Sequence, residues 1–260
     1  MRKSCLLVGK TIAEIARALR PGITTASLDK LAEEFIRDHS GVPSFKGYVV
    51  HGKTYPYSTC ISCNDEVVHG MPGPRVIVEG DIVSFDCGVY LNGYHGDSAY
   101  TFPIGEVNPS ILTLLRVTKE SLMLGIEKAV LGNRLLDISS AIQTHVESHG
   151  YSVVRELVGH GIGRQLHEKP EVPNYGKKGN GVVLKSGFTL AIEPMINKGH
   201  KEIITAKDGW TVATKDHQPS AHYEHTIAIT SGKADILTTF EYIEAVRNEY
   251  IGTLQPELHG

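Results

Sequence analysis

Asp86 and Asp97 lie on either side of an Asn92-Gly93 pair, in sequence that alternates between apolar and polar residues. Asn-Gly in this setting predicts a two-residue β-hairpin turn. With such a turn, Asp86 pairs with Ala99 and Asp97 pairs with Gly88. Both carboxylates then point to one face of the hairpin, one diagonal step apart.

Two carboxylates on one hairpin face are a candidate metal site. Diagonal neighbours lie about 7–8 Å apart at the backbone, and carboxylates this close repel each other unless a cation or a proton lies between them. Two metal ions about 3.5–4 Å apart would fit. The alternative is a pair of exposed aspartates, although Asp86 lies among Val83, Phe85 and Cys87 in a strand with a buried pattern. One extra loop residue would place Asp86 and Asp97 on opposite faces.

Three further residues extend the candidate ligand set. His160 stands between glycines in residues 159–163, and Glu193 and Glu224 lie at apolar segments. A lone histidine is more often structural, and a salt bridge would also satisfy a buried glutamate, which is costly when unpaired. Together with the two aspartates they form an oxygen-rich set with one nitrogen. Such a set suits two divalent ions of the Mn, Fe, Co or Zn kind better than a tetrahedral structural zinc.

The elements that must position these residues follow the order helix pair, strands, helix pair, strands. Apolar residues recur at helical spacing before Pro21-Gly22 and again over 25–36. Asn108 and Pro109 predict the start of a third helix, and a fourth is predicted over 136–149. Leu-Asp recurs at 28–29 and 136–137, which indicates two similar halves. The predicted strands are 82–90, 94–102, 189–193, 202–206 and 222–230, all within one domain of residues 1–260.

The composition is that of an ordinary globular protein. Among 260 residues, 26 are Lys or Arg and 29 are Asp or Glu, and the net charge of -3 argues against a broad phosphate-binding surface. The 4 cysteines give no disulfide pattern. No apolar run has the roughly 18 residues of a membrane span, so we expect a cytoplasmic protein. The 13 histidines stand out, because histidine is the commonest metal ligand and carries protons near neutral pH.

Taken together, the motifs resemble those of the methionine aminopeptidases over nearly the whole chain. In order, Asp86, Asp97, His160, Glu193 and Glu224 resemble the five metal ligands of that family. The sequence is similar to the type I enzymes of bacteria, because no long insertion separates the last two glutamates and no zinc-binding extension precedes the first helix. The matching segments are 20–25, 28–29, 68–72, 95–97, 159–163, 192–195 and 223–226.

The resemblance implies an α+β pita-bread (creatinase/aminopeptidase) fold, with two pseudo-symmetric halves, a curved antiparallel sheet and outer helices. It implies removal of the N-terminal methionine from nascent chains whose second residue is small. Asp97 and Glu224 would bridge two divalent ions (Co, Mn, Fe, Ni or Zn), His160 and Glu193 would complete one site, and Asp86 would chelate the other. Such ions lower the pKa of a bound water and so produce a hydroxide nucleophile near neutral pH.

The resemblance also assigns catalytic roles to residues around the ions. Glu193 would take the proton of the attacking water. His167 would donate a hydrogen bond to the developing oxyanion, and His69 would contact the scissile amide nitrogen or the leaving amine. Asn64 and Ser220 match positions near a monovalent cation site.

The methionine side chain would bind in an apolar pocket, which suits its flexible thioether. Plain core packing is the alternative for the pocket residues. Cys60 and Cys63 lie three apart on a predicted strand and face opposite sides, so they form no redox pair. The pocket residues implied by the resemblance are Tyr48, Tyr55, Cys60, Leu166 and Trp210.

Three departures from the family pattern affect the pocket and not the ligands. An inserted segment, residues 49–54, lengthens the stretch between Tyr48 and Tyr55. Leu166 replaces the usual Phe. His222 stands where Gln is common. It is a candidate for contacting the metal-ligand residues without binding a metal ion itself.

Two other classes remain as alternatives. A proline-directed aminopeptidase or prolidase of the same fold would carry a large domain before the first ligand, which here is already Asp86. A non-catalytic binding module of this fold would have lost ligands, whereas all five are present. As partners we expect the N-terminal methionine of nascent polypeptides near the ribosome exit, no nucleic acid, no membrane and a monomeric state.

Overall fold

A computed structural model describes residues 1–50 and 52–253 of the chain, without the side chains of 248–253. Its helices form the two predicted pairs and one more element. The helix α2 begins after Thr24, whose hydroxyl accepts a hydrogen bond from Ser27 N. The helix α3 has Asn108 as its cap and Pro109 in its first turn, as predicted. The helices are α1 Arg2–Ala18, α2 Thr25–Asp38, α3 Pro109–Lys128, α4 Leu135–Ser148 and α5 Glu241–Thr253.

Most strands are short, and the exceptions are the two that form the carboxylate hairpin. In chain order they are β1 Val42–Pro43, β2 Val49–Val50, β3 Lys53–Thr54, β4 Cys60–Cys63, β5 Glu66–Val68, β6 Ile82–Leu91, β7 Tyr94–Pro103, β8 Ser152–Val153, β9 Gly159–Gly161, β10 Glu168–Val172, β11 Thr189–Ile192, β12 Met195–Asn197, β13 Ile203–Thr205, β14 Val212–Thr214, β15 Ser220–His222, β16 His225–Ala228 and β17 Asp235–Ile236.

The strands pair antiparallel throughout. One sheet has the order β1-β6-β4, with β7 also on β6, and another has the order β10-β9-β11-β16-β17. Smaller sheets are β15-β12-β8, β13-β14-β5 and the hairpin β2-β3. At the start of α2, Thr24 forms an isolated bridge with Val76, and at the start of α4, Arg134 forms the corresponding bridge with Val183. The two halves are therefore built alike.

The helices cover the sheets and bury one continuous apolar core. That core runs from α1 and α2 through β6 and β7 to α3 and α4. Its largest fully buried side chains include Ile12, Leu28, Phe85, Tyr100 and Ile142. Two smaller apolar clusters lie beside the acidic residues described below.

The predicted register of the β6–β7 hairpin is confirmed. Asp86 pairs with Ala99 and Gly88 pairs with Asp97 across a two-residue Asn92-Gly93 turn. Both turn residues have positive φ, 54° at Asn92 and 84° at Gly93, as this turn requires. Asp86 and Asp97 therefore lie on the same face.

The prediction of one continuous strand over 222–230 is wrong. The chain forms β15 and β16, with a break at Tyr223 and Glu224, where Glu224 N turns to donate to Ala99 O at 3.0 Å. The neighbouring pair β11 and β12 breaks at Glu193 and Pro194, and Pro194 has no N–H to donate to a ladder. The ladders on both sides of the breaks keep one register, which places Glu193 opposite Glu224.

Glu33 on α2 forms hydrogen bonds with Lys46 and Ser58, which lie in the segment between β1 and β4. Its carboxylate accepts hydrogen bonds from Lys46 Nζ at 2.7 Å, Arg37 Nε at 2.9 Å and Ser58 Oγ at 3.0 Å. Chiefly through Lys46, these partners lower the pKa of Glu33 from 4.5 to about 2. The neighbouring acid on the same helix, Asp29, accepts three hydrogen bonds from Ser58 and Thr59.

Replacing Glu33 by Gln is expected to lower the free energy of unfolding most at neutral pH. Because the folded-state pKa is depressed, the stabilisation is complete above pH 4.5 and is lost as the pH falls towards 2. Urea unfolding of wild type and variant at pH 7 and pH 3 measures this. Glu34→Gln, an exposed acid on the same helix, is the control. A difference between wild type and Glu33→Gln that grows on acidification would contradict this assignment.

Within the described residues, no helix is both long and apolar enough to cross a membrane.

Candidate metal centre

Five predicted ligands converge on one point between the two main sheets. The β6–β7 hairpin presents Asp86 and Asp97, and β9 presents His160, which pairs with Ala191 of β11. Glu193 and Glu224 come from the strand breaks. One ligand atom each from Asp97, His160 and Glu224 lies within 4.8 Å of the others, and His160 Nε2 is 3.6 Å from Glu193 Oε1.

The electrostatics of this cluster fit bound cations. Among the described residues, Asp86 Oδ1, Asp97 Oδ1 and Glu224 Oε1 are buried without a hydrogen-bond partner. Burial raises the pKa of Asp97 to about 7, and burial followed by the charge of Asp97 raises the pKa of Asp86, Glu193 and Glu224. Four acids brought together in this way, two buried and two half-buried, are costly unless positive charge lies between them.

The nitrogen ligand is held neutral. Burial, and then the nearby His167, lowers the pKa of His160 to about 3. His160 Nδ1 lies 2.8 Å from Gly161 O, which leaves Nε2 to face the carboxylates. A neutral imidazole with carboxylate oxygens is a donor set for divalent transition metals, so these residues fit the ions that the resemblance implies.

Cross-strand hydrogen bonds fix the two central acids. Thr226 Oγ1 donates to Asp97 O at 2.8 Å and accepts from Asp97 N at 3.1 Å. Ser98 Oγ donates to Glu224 O at 2.6 Å. The sequence interpretation did not assign Thr226 or Ser98 a role. The available signal was that Thr226 lies in the matched segment 223–226 and that Ser98 directly follows the matched segment 95–97.

One cavity of about 190 Å³ contains the acids and the predicted pocket. All five ligands, His69 and His167 line it. So do the five predicted pocket residues, Tyr48, Tyr55, Cys60, Leu166 and Trp210. The structure thus brings together all predicted site residues except Asn64 and Ser220. Lining residues that the sequence interpretation missed are Phe45, Val68, Leu157, Val158 and Met195.

The apolar wall of the cavity is well packed. Tyr55 and Trp210 meet edge to face with ring centroids 5.1 Å apart, and Cys60 and Leu166 are buried in the same cluster. Val50 belongs to the inserted segment, so this segment borders the cavity as expected. His51, also in the segment, lies outside the described residues. Cys60 and Cys63 are both free.

Asn64 and Ser220 meet away from the cavity lining. Ser220 N donates to Asn64 O at 2.9 Å. The Asn64 side chain bonds Asp81 and Ile82, and Ser220 Oγ donates to Asn197 Oδ1 at 2.9 Å. A monovalent cation at this point stays a prediction.

The remaining motif histidines differ in their surroundings. His69 has a left-handed backbone with φ 59°, and burial lowers its pKa to about 4. His222 Nε2 is buried without a hydrogen-bond partner among the described residues and lies 3.7 Å from Glu193 Oε2, behind the ligands. His95 bonds Ser44, and His225 bonds Thr238, in line with supporting roles.

Replacing Gly161 by Ala is expected to weaken divalent-metal binding by about 10-fold or more, since ligand orientation sets affinity. A Cβ at Gly161 would overlap Lys169 O, a backbone atom that moves only with its strand. The strand β9 would shift and carry His160 with it. Titration calorimetry measures the affinity. Gly232→Ala, where a Cβ meets nothing within 4 Å, is the control. Equal metal affinity in Gly161→Ala and Gly232→Ala would contradict the idea that the packing of Gly161 against Lys169 O positions His160.

Comparisons with known proteins agree with this site. Residues 1–231 match the model of metallopeptidase family M24. A methionine aminopeptidase of Clostridium acetobutylicum is 52% identical over 242 residues, 93% of this chain and 95% of that protein. The Escherichia coli methionine aminopeptidase is 45% identical, over 92% of this chain and 89% of that one.

Solved structures give the same result. A methionine aminopeptidase from Rickettsia prowazekii superposes with a TM-score of 0.89 at 41% identity, over 92% of this chain and 95% of that chain. A prolidase from Pyrococcus furiosus has a TM-score of 0.75 at 22% identity, over 92% of this chain and 63% of that chain, which indicates a shared fold alone. The predicted pita-bread fold is confirmed. The chain belongs to metallopeptidase family M24 and, within that family, to the methionine aminopeptidases.

Proposed function

We propose that this metal-dependent aminopeptidase releases N-terminal methionine from polypeptides with a small second residue, using two divalent ions. One observation carries the proposal. A single cavity of about 190 Å³ is lined both by five convergent ligand residues and by the apolar wall around Tyr55 and Trp210. The reacting bond and the first side chain of a substrate can therefore bind side by side.

The ions would be shared among the five residues as the family pattern implies. Asp86, Asp97, His160, Glu193 and Glu224 would together hold the ions. When bound, such ions lower the pKa of a coordinated water to about 7 and polarise a carbonyl. The donor set accepts Co, Mn, Fe, Ni or Zn, and availability decides among them.

Residues of this chain would then move protons and orient the substrate. Glu193 lines the cavity beside the other acids, and its carboxylate would take a proton from the attacking water. His167 would donate a hydrogen bond to the carbonyl oxygen, and one such donor contributes roughly 3–4 kcal/mol in other hydrolases. His69, neutral at pH 7 because of its lowered pKa, would contact the scissile amide nitrogen.

The cavity wall would select the first side chain. Methionine is unbranched and apolar, so it fits a slim slot between Tyr55, Cys60 and Trp210. Leu166, in place of the usual Phe, gives this slot an aliphatic side. The single-domain organisation, a monomeric state, a cytoplasmic location and action near the ribosome exit belong to the same proposal. The substrate supports the location and the action near the ribosome exit, because N-terminal methionine is carried by newly made chains.

A peptide panel tests the pocket assignment. Metal-loaded protein should release the first residue from Met-Ala-Ser and from its norleucine analogue, and should leave Ile-Ala-Ser intact because a β-branched side chain does not fit an unbranched slot. Met-Leu-Ser, with a large second residue, should be cleaved much more slowly. Liquid chromatography of the products measures this. Equal cleavage of the Met and Ile peptides would reject the pocket, and cleavage of Xaa-Pro peptides alone would favour the prolidase alternative.

A further inference from the structure

A short hydrogen bond joins a pocket residue to a catalytic histidine. Tyr48 Oη lies 2.6 Å from His167 Nδ1, and the two rings meet edge to face with centroids 5.0 Å apart. The family pattern assigns Tyr48 to the pocket wall alone. The contact links two distant parts of the chain at the cavity mouth, where both residues are lining residues.

The hydrogen bond has a preferred direction. A tyrosine hydroxyl has one proton to donate, and within the described part of the chain Tyr48 Oη has no partner other than His167 Nδ1. Burial raises the pKa of Tyr48, so the hydroxyl keeps its proton at neutral pH. Tyr48 Oη therefore donates its proton to His167 Nδ1, and Nδ1 is the acceptor.

Acceptance at Nδ1 decides where His167 carries its own proton. A neutral imidazole has one N–H, so an acceptor at Nδ1 leaves the proton on Nε2. Among the described residues Nε2 has no hydrogen-bond partner, and the ring borders the metal cavity, with its centroid 4.3 Å from that of His160. The Nε2–H group is therefore free to donate to a substrate oxygen.

We propose that Tyr48 is a positioning residue for the reaction, whose hydroxyl holds His167 in the tautomer that presents Nε2–H to the substrate carbonyl. This rests on the proposed function, in which His167 stabilises the oxyanion. The opposite tautomer would present a lone pair to a developing negative charge and would repel it.

Backbone hydrogen bonds at the two ends of the inserted segment hold Tyr48 in place. Gly47 N donates to Tyr55 O and Tyr55 N donates to Tyr48 O, both at 2.8 Å, so Tyr48 lies at the base of the β2–β3 hairpin. Lys53 Nζ occupies the space beside Gly209 that a Cβ there would take. The β2–β3 hairpin therefore lies beside the turn that carries Trp210, where Asp208 accepts from Trp210 N at 2.8 Å.

Replacing Tyr48 by Phe tests the proposal, because it removes the hydroxyl and keeps the ring in the wall. We expect kcat for Met-Ala-Ser to fall about 10-fold, as for other residues that orient a catalytic group, with KM nearly unchanged. In a His167→Ala background the same change should have no further effect, since the residue it positions is gone. Tyr57→Phe, which removes a hydroxyl from a neighbouring ring outside the cavity lining, is the matched control.

A second readout does not depend on activity. In zinc-loaded protein labelled with 15N-histidine, the nitrogen chemical shifts of His167 report its tautomer. We expect the Nε2–H form in wild type and in Tyr57→Phe, and a mixture of tautomers in Tyr48→Phe. An unchanged tautomer in Tyr48→Phe, or an equal loss of kcat in the His167→Ala background, would overturn the proposal. Failure of wild type to release methionine, with the Nε2–H form intact, would instead reject the proposed function.

Discussion

Replacement of Asp97 by Asn should reduce methionine release roughly 10³-fold, because a bound metal contributes several kcal/mol to the transition state and each 1.36 kcal/mol is tenfold in rate. Asp97 is central to the cluster. Its ligand atom lies within 4.8 Å of those of His160 and Glu224, and its charge raises the pKa of three other acids. The Asn side chain has nearly the same shape as that of Asp97 but lacks the negative charge that would attract the ions.

The same substitution should stabilise the protein once metal is removed. Without cations the buried acids repel one another, so loss of one charge raises the free energy of unfolding. Thermal unfolding with chelator present measures this, and Asp38→Asn, an exposed acid at the end of α2, is the control. Full activity in Asp97→Asn, or a metal-free variant less stable than wild type, would contradict the assignment of Asp97 as a shared ligand.

Replacement of His69 by Ala should leave both metal ions bound while turnover falls about 10²–10⁴-fold, the range for loss of a proton-transferring or donor side chain. His69 lines the cavity, and the family pattern gives it a contact with the substrate and not with a metal ion. Metal content by mass spectrometry and kcat by methionine release separate the two effects. Loss of metal would mean that His69 is itself a ligand.

His217→Ala is a matched control for this variant. His69 and His217 both adopt left-handed backbone conformations, with φ 59° and 55°. Alanine at either position bears a similar backbone cost, but His217 is exposed and bonds Asp65 on the surface. A comparable fall in turnover in both variants would show a general effect on folding and not a role for His69 in catalysis.

The part of the site that could be predicted from the sequence is the part set by local rules. Asn92-Gly93 and the alternation around it determined the turn, and the turn determined the side of the hairpin on which Asp86 and Asp97 lie. Asn108 and Pro109 marked a helix start for equally local reasons. The residue types and surroundings of His160, Glu193 and Glu224 made them candidate ligands, and the resemblance to a known family assigned them to one site, because no local rule relates residues so far apart.

What the sequence missed depends on contacts between distant segments. The apolar run over 222–230 matches a single strand, but Glu224 N turns to Ala99 O of the hairpin and breaks it. That break, beside the one at Pro194, is what places Glu193 and Glu224 opposite each other in the cavity. The bond from Tyr48 to His167 likewise joins residues 119 positions apart, so no spacing in the sequence signals it.

Release of free methionine from Met-Ala-Ser, by protein stripped of metal and then titrated with Mn²⁺ or Co²⁺, tests the central claim most directly. We predict no release by the stripped protein, activity that appears with added metal and saturates at two ions per chain, and no release from the N-acetylated peptide. Methionine release by the metal-free protein would contradict the account. So would a Met-Ala-Ser peptide that stays intact at every metal loading.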